Sequence, residues 1–204
     1  KMSRASLFTV ITAGMATVAG TVMVHYATTL DGVLENAAAQ ILIASIMSAP
    51  AAIIMAKILM PGSSQDIKQE EIDLPVTTNS SFEAIINGTT EGVNMSVQVA
   101  GVLIVLFAFI SLVNMGLNVL PVDTELSIQM LAGYVFVPLC WLMGIDGVDL
   151  MQAGQLMGTK LMLNEFVAYL EMAKGGLELE KSKIIMTYAM CGFANFGSLG
   201  ILVG

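Results

Sequence analysis

The chain has 204 residues, 56% of them hydrophobic and 12% charged, with a net charge of −8 and a mean hydropathy of +0.81. A soluble domain carries about a quarter charged residues, so water is excluded as the main solvent and an all-α membrane protein is expected. Much of the acid lies between Asp66 and Glu91 and in short connections, which makes the charge a property of loops and excludes nucleic acid as a partner.

Lys1 and Arg4 precede an uncharged stretch from Ala5 to Leu30. It is too long for the apolar region of a cleavable signal and meets the roughly 20 residues a membrane helix needs, which predicts a retained first span. Gly14 to Val22 is dense in small residues. A backbone there either packs closely on a neighbour or unwinds and offers carbonyl oxygens and a Thr hydroxyl to a cation. Ala37 to Ala56 predicts a second span, kinked or interrupted at Pro50 and closed by Lys57 and Pro61-Gly62.

Residues 61–81 read as a soluble polar loop, and 82–94 carry Phe82, Ile85, Ile86 and Val93 at near-helical spacing, predicting an interfacial amphipathic helix. Val99 to Val113 gives a third span, extending towards Leu120. Leu126 to Ile145 is again uncharged, whereas Met151 to Leu170 is interrupted by Gly154, Gly158, Lys160, Asn164 and Glu165 and leaves no crossing stretch. That pattern fits a re-entrant hairpin. A last uncharged run, Ile184 to Gly204, follows Lys174, Lys181 and Lys183. The basic residues place Lys1 and Lys181 on the cytoplasmic side. The absence of an initiating Met and the end inside an apolar run point to a fragment of a longer protein.

Glu165 is the sharpest feature, since a carboxylate among apolar residues at membrane depth costs several kcal/mol unless paired or wetted. The plainer alternative puts it at the headgroup level. Lys160 either pairs with it or snorkels to the surface. Asn195 and Ser198, three apart, would share one helix face and offer polar groups to sugar hydroxyls or to a neighbouring helix. His25 reads as interfacial or packed, and Gly154/Gly158 as an unspecific close-packing pair. Cys140 and Cys191 have neither CxxC spacing nor a neighbouring His and read as packing residues.

The segment Gly158 to Tyr169 (GTKLMLNEFVAY) resembles the second re-entrant hairpin of the concentrative nucleoside transporter family, and Tyr188 to Phe196 (YAMCGFANF) resembles the helix after it. Ala16 to Gly20, Ser48 to Ala51 and Gly133 to Pro138 extend the likeness over nearly the whole chain. The resemblance implies the C-terminal part of a bacterial-type member, a partial repeat of a transporter fold in the cytoplasmic membrane. It would comprise two transmembrane helices with the cation-site helix (1–60), the loop (61–81), amphipathic and scaffold helices (82–145), the hairpin (146–174) and a discontinuous substrate-site helix (175–204).

On matching positions, Glu165, Asn195 and Ser198 would hold the sugar, Phe193 and Val22 would line the base, and Thr17 with the Val18 carbonyl would contribute to a sodium site. The coupling ion is expected to be sodium, with a proton as the alternative; no cofactor is expected, and the assembly would be a homotrimer. The family's first hairpin, with its Gly-Gln-Thr-Glu-type motif, is not in the chain, so this segment alone is expected neither to transport nor to discriminate bases. Gly197 stands where many relatives have a small hydroxyl residue, which bears on substrate preference. Two rival classes are an intramembrane enzyme using Glu165 and Cys191, which lacks an HExxH, GxSxG or paired-carboxylate motif, and a structural or channel-like subunit.

Overall fold

A computed structural model describes residues 3–62, 80–119 and 126–198. They form eight helices: α1 (Arg4–Ala16), α2 (Gly20–Thr29), α3 (Ala37–Leu59), α4 (Ser81–Leu117), α5 (Ile128–Leu142), α6 (Leu150–Met162), α7 (Glu165–Ala173) and α8 (Glu180–Met190). The polar loop expected over 61–81 lies outside the described residues from 63 to 79, as does the part of the last apolar run beyond Ser198.

Among the described residues three stretches are long and apolar enough to cross a membrane: Arg4–Thr29, Ala37–Leu59 and Ser81–Leu117, with mean hydropathies of 1.9, 2.0 and 2.5. The first is not one helix. Ser3 caps α1 by accepting from the Ser6 amide, and the chain turns extended at Thr17 and again at Ala19 before α2 begins. The small-residue segment thus unwinds. By contrast, α3 runs through Pro50 without interruption, so the interruption entertained there does not occur.

The segments read as an amphipathic helix and a separate third span are one continuous helix, α4, of 37 residues. At about 1.5 Å per residue it is some 55 Å long, well beyond a hydrocarbon core of roughly 30 Å. The physical reason is local: no Pro lies between Ser81 and Leu117, and Thr89, Thr90 and Ser96 return their hydroxyls to carbonyls of their own helix. Polarity shifts along α4 without breaking its hydrogen bonds. Among the described residues Ile110 is its only buried residue.

Helices α5 and α6 approach until backbone meets backbone. A Cβ on Gly154 would lie 2.7 Å from the Gly133 carbonyl oxygen, and one on Gly158 would collide with the Gln129 carbonyl oxygen. Gly154 and Gly158 are therefore a packing seam. At 15 residues α5 is about 22 Å long, and α6 and α7, at 13 and 9, are shorter still. The shared core gathers Tyr26, Leu30, Ile41, Leu156, Tyr169, Met172, Met186 and Met190. Cys140 and Cys191 are free and fully buried. Large apolar side chains such as Ile46, Ile54, Ile58, Ile104, Val105 and Phe109 are exposed along α3 and α4, as helices solvated by something other than water would have them.

Candidate functional site

Two interrupted helices cross at their interruptions. The α1–α2 break at Thr17–Ala19 lies against the chain that leaves α8, where the Phe193 amide donates to the Met15 carbonyl at 2.7 Å. Gly192 sits so near that a Cβ there would be 3.4 Å from the Met15 carbonyl oxygen and 3.5 Å from the Ala16 Cα. The Val18 amide, released from helical bonding, donates to the Ser45 hydroxyl of α3 at 3.2 Å. Backbone groups at membrane depth need such partners, because lipid offers none.

The break between α6 and α7 places the carboxylate. Asn164 is extended and caps α7, its Oδ1 accepting from the Val167 amide at 2.9 Å. Glu165 is then the first residue of α7, where the positive helix end favours a negative charge. It is 2% exposed and begins a helix rather than ending one. Its Oε1 accepts from the Tyr26 hydroxyl at 2.7 Å and its Oε2 from Asn195 Nδ2 at 2.8 Å.

Asn195 turns its other face to the chain ahead. Its Oδ1 accepts from the Ser198 amide at 2.7 Å, so Asn195 starts a new helical turn at Phe196–Ser198. This corrects the expectation that Asn195 and Ser198 share one helix face: Asn195 is the cap of the turn that carries Ser198. Between α8 and that turn the chain over 191–194 is not helical.

These groups open on a cavity of about 380 Å³ lined by Glu165, Asn195, Ser198, Phe193 and Val22, all five residues expected on the substrate. Sequence reasoning missed Tyr26, which also lines it. A phenol four residues after Val22 was the available signal, since a buried Tyr hydroxyl requires a partner. His25 reaches the same wall, edge-on to Phe166 with ring centroids 6.2 Å apart, and Val99 and Leu103 of α4 close another side.

Thr17 and Val18 are not part of this wall; they sit in the α1–α2 break beside it. The Thr17 hydroxyl donates to the Gly14 carbonyl at 3.3 Å and retains its acceptor sites. No hydrogen bond among the described residues engages the Val18 carbonyl. Both oxygens suit a hard cation.

Lys160 does not snorkel, and it makes no hydrogen bond to Glu165 although the two charges lie near enough to interact. It is 7% exposed and donates to the Ala189 carbonyl at 2.9 Å, while the Tyr169 hydroxyl donates to the Thr187 carbonyl at 2.8 Å. Both carbonyls belong to the last turn of α8, whose free acceptors and negative dipole end call for donors and positive charge. These two side chains, one from α6 and one from α7, thus seal the end of α8 just before the break that carries Phe193 and Asn195. A second, more open cleft of about 500 Å³, lined by Asn114, Gln129, Gln152 and Gln155 with the Thr159–Glu171 pair, contains none of the expected site residues.

Residues 40–204 match the family described as "Na+ dependent nucleoside transporter C-terminus". The chain belongs to that family. It is 38% identical over 215 residues to an uncharacterized transporter of Haemophilus influenzae and 36% identical over 216 residues to the putative nucleoside permease NupX of Escherichia coli, in each case covering 100% of this chain and 50% of the relative. It is 34% identical over 229 residues to solute carrier family 28 member 3 of the mouse, covering 31% of it.

Among solved structures, CNTnw in an inward-facing substrate-bound state superposes with a TM-score of 0.74 at 30% identity, and a CNTnw variant in its intermediate 2 state with 0.82 at 31%. Each alignment covers all of this chain, with 49% and 50% of the respective CNTnw chains. The chain therefore spans about half the length of the bacterial relatives it matches. The family is one of transporters, not enzymes, and the fold is a helical membrane fold shared with the concentrative nucleoside transporters.

Proposed function

We propose that this chain is the C-terminal portion of a nucleoside transporter that moves its substrate across the cytoplasmic membrane together with sodium, and that the Glu165 cavity is the sugar-binding part of its site. The carrying observation is a buried carboxylate held by Tyr26 and Asn195 at the meeting of broken helices, open to a cavity that Phe193 and Val22 line from the apolar side. A ribose brings hydroxyl donors, and a carboxylate accepts them more strongly than a neutral group does. Phe193 and Val22 then offer a hydrophobic surface to a base. The family description supports sodium as the coupling ion.

Sodium is assigned to Thr17 and the Val18 carbonyl. Its binding orders the α1–α2 break, and through the Phe193–Met15 bond it favours the arrangement that presents Phe193 and Asn195, so that ion and nucleoside strengthen each other's binding. The short helices α6 and α7 act as a re-entrant hairpin that moves with α8 against a scaffold containing α4, in a multi-pass homotrimer. The test is Glu165→Gln in the full-length protein. Gradient-driven uridine uptake is lost while membrane expression is retained; near-normal uptake removes Glu165 from the site. Replacing sodium in the same assay identifies the ion, since uptake that persists and follows a pH gradient assigns coupling to a proton.

A further inference from the structure

The Glu165 carboxylate is held on both oxygens before any ligand arrives, and the two holders differ in kind. Asn195 belongs to the break that forms the sugar site. Tyr26 comes from α2, where it is 1% exposed, with its ring 4.7 Å from Tyr169 and stacked on Phe166 at 6.3 Å. Both of those rings stand on α7, the helix that Glu165 begins. The phenol is therefore fixed relative to the carboxylate by two aromatic contacts as well as by its own 2.7 Å hydrogen bond.

An ionised carboxylate has about four acceptor sites, two on each oxygen. Tyr26 takes one on Oε1 and Asn195 one on Oε2. One site per oxygen remains. A pair of acceptors held in this way fits two hydroxyls on adjacent carbons, and the rotamer entropy of the Glu side chain is already lost when the protein folds.

We infer that Tyr26 is a positioning residue that orients both oxygens of Glu165 for a vicinal diol and so sets the preference of the site for ribose over 2′-deoxyribose ligands. This rests on the assignment of Glu165 to the sugar. Without the phenol, Oε1 is free to turn away or recruit water, while Oε2 stays on Asn195. A ligand with both hydroxyls then loses more than one that offers a single hydroxyl.

The experiment uses the full-length transporter in proteoliposomes, with KM measured for uridine and 2′-deoxyuridine. Tyr26→Phe retains the ring and removes the donor. It is expected to raise KM for uridine about tenfold, the scale of a lost hydrogen bond to a charged group, and to raise KM for 2′-deoxyuridine less, bringing the ratio towards one. Tyr169→Phe, which loses a phenol bonded to the Thr187 carbonyl instead, leaves the ratio unchanged.

A purely structural Tyr26 would reduce the amount of active protein without moving the ratio. An unchanged ratio in Tyr26→Phe, with uptake abolished by Glu165→Gln, overturns the positioning role and leaves the sugar site standing. Uptake that survives Glu165→Gln overturns the underlying assignment. If Tyr26→Phe accumulates poorly, 3-fluorotyrosine at position 26 keeps the ring and the phenol while altering donor strength; a ratio it does not move also counts against the role.

Discussion

The Phe193 amide and the Met15 carbonyl are joined by a 2.7 Å hydrogen bond that ties the chain leaving α8 to the last turn of α1, at the edge of the α1–α2 break. That break contains Thr17 and Val18, and the chain leaving α8 contains Phe193 and Asn195. The bond gives the proposed ion and sugar positions a common backbone support, because a shift of one break displaces the other.

Gly192 tests that support. At 3.4 to 3.5 Å from Met15 and Ala16, an added Cβ meets ordinary van der Waals contact, so Gly192→Ala is tolerated. Gly192→Leu forces the breaks apart. Uptake assays are expected to show weaker apparent affinity for sodium and nucleoside together; loss of only one would separate the two breaks functionally.

Lys160→Met leaves the Ala189 carbonyl without its donor. The expected cost is about 1–3 kcal/mol, the penalty for an unsatisfied buried group, read as a lower Tm of the purified full-length protein in detergent. Tyr169→Phe removes the neutral donor to Thr187, with a smaller loss of about 1 kcal/mol. A Lys160→Met protein as stable as the parent would mean that the α8 terminus has another donor.

Gly158→Ala drives a methyl group into the Gln129 carbonyl at the α5–α6 seam. Overpacking of this kind costs about 1–3 kcal/mol, and thermal unfolding followed by circular dichroism measures it. The substitution acts by separating two helices, so second-site shortening of the facing Val137, which lies close to Gly154 in the same seam, is not expected to restore stability: the obstacle at Gly158 is backbone.

Asp149, outside the three long spans, supplies a pH signature. Its carboxylate accepts from the Glu178 and Leu179 amides at 2.7 and 3.0 Å. Burial works to raise its pKa, but the neighbouring Ser182 hydroxyl, these two amides and the Lys183 charge outweigh it and hold the group below the ordinary Asp value. Since the folded pKa is the lower one, the stabilisation is present above the unfolded value of about 3.9 and is lost as pH falls from there through the folded value. In Asp149→Asn, Tm is lower at neutral pH and this acid-dependent component disappears; parallel Tm curves for the two proteins between pH 6 and pH 3 would contradict it.

The sequence by itself determined the helical membrane class and singled out the residues from which a site is proposed. Apolar run lengths depend only on neighbouring residues, and a carboxylate in such a run is costly wherever the chain goes, so Glu165 stood out without a structure. The small residues near Thr17 marked a segment able to unwind, but the same spacing fits close packing, as it does at Gly154 and Gly158. Only the tertiary structure decided between those outcomes, because the deciding partners, Phe193 for the first and Gln129 for the second, come from other helices. It also decided that Asn195 caps a turn, that Lys160 closes α8, and that Tyr26, 139 positions from Glu165, holds its carboxylate. Local periodicity carries no record of which distant group will satisfy a buried polar atom; that is settled when packing removes every other partner.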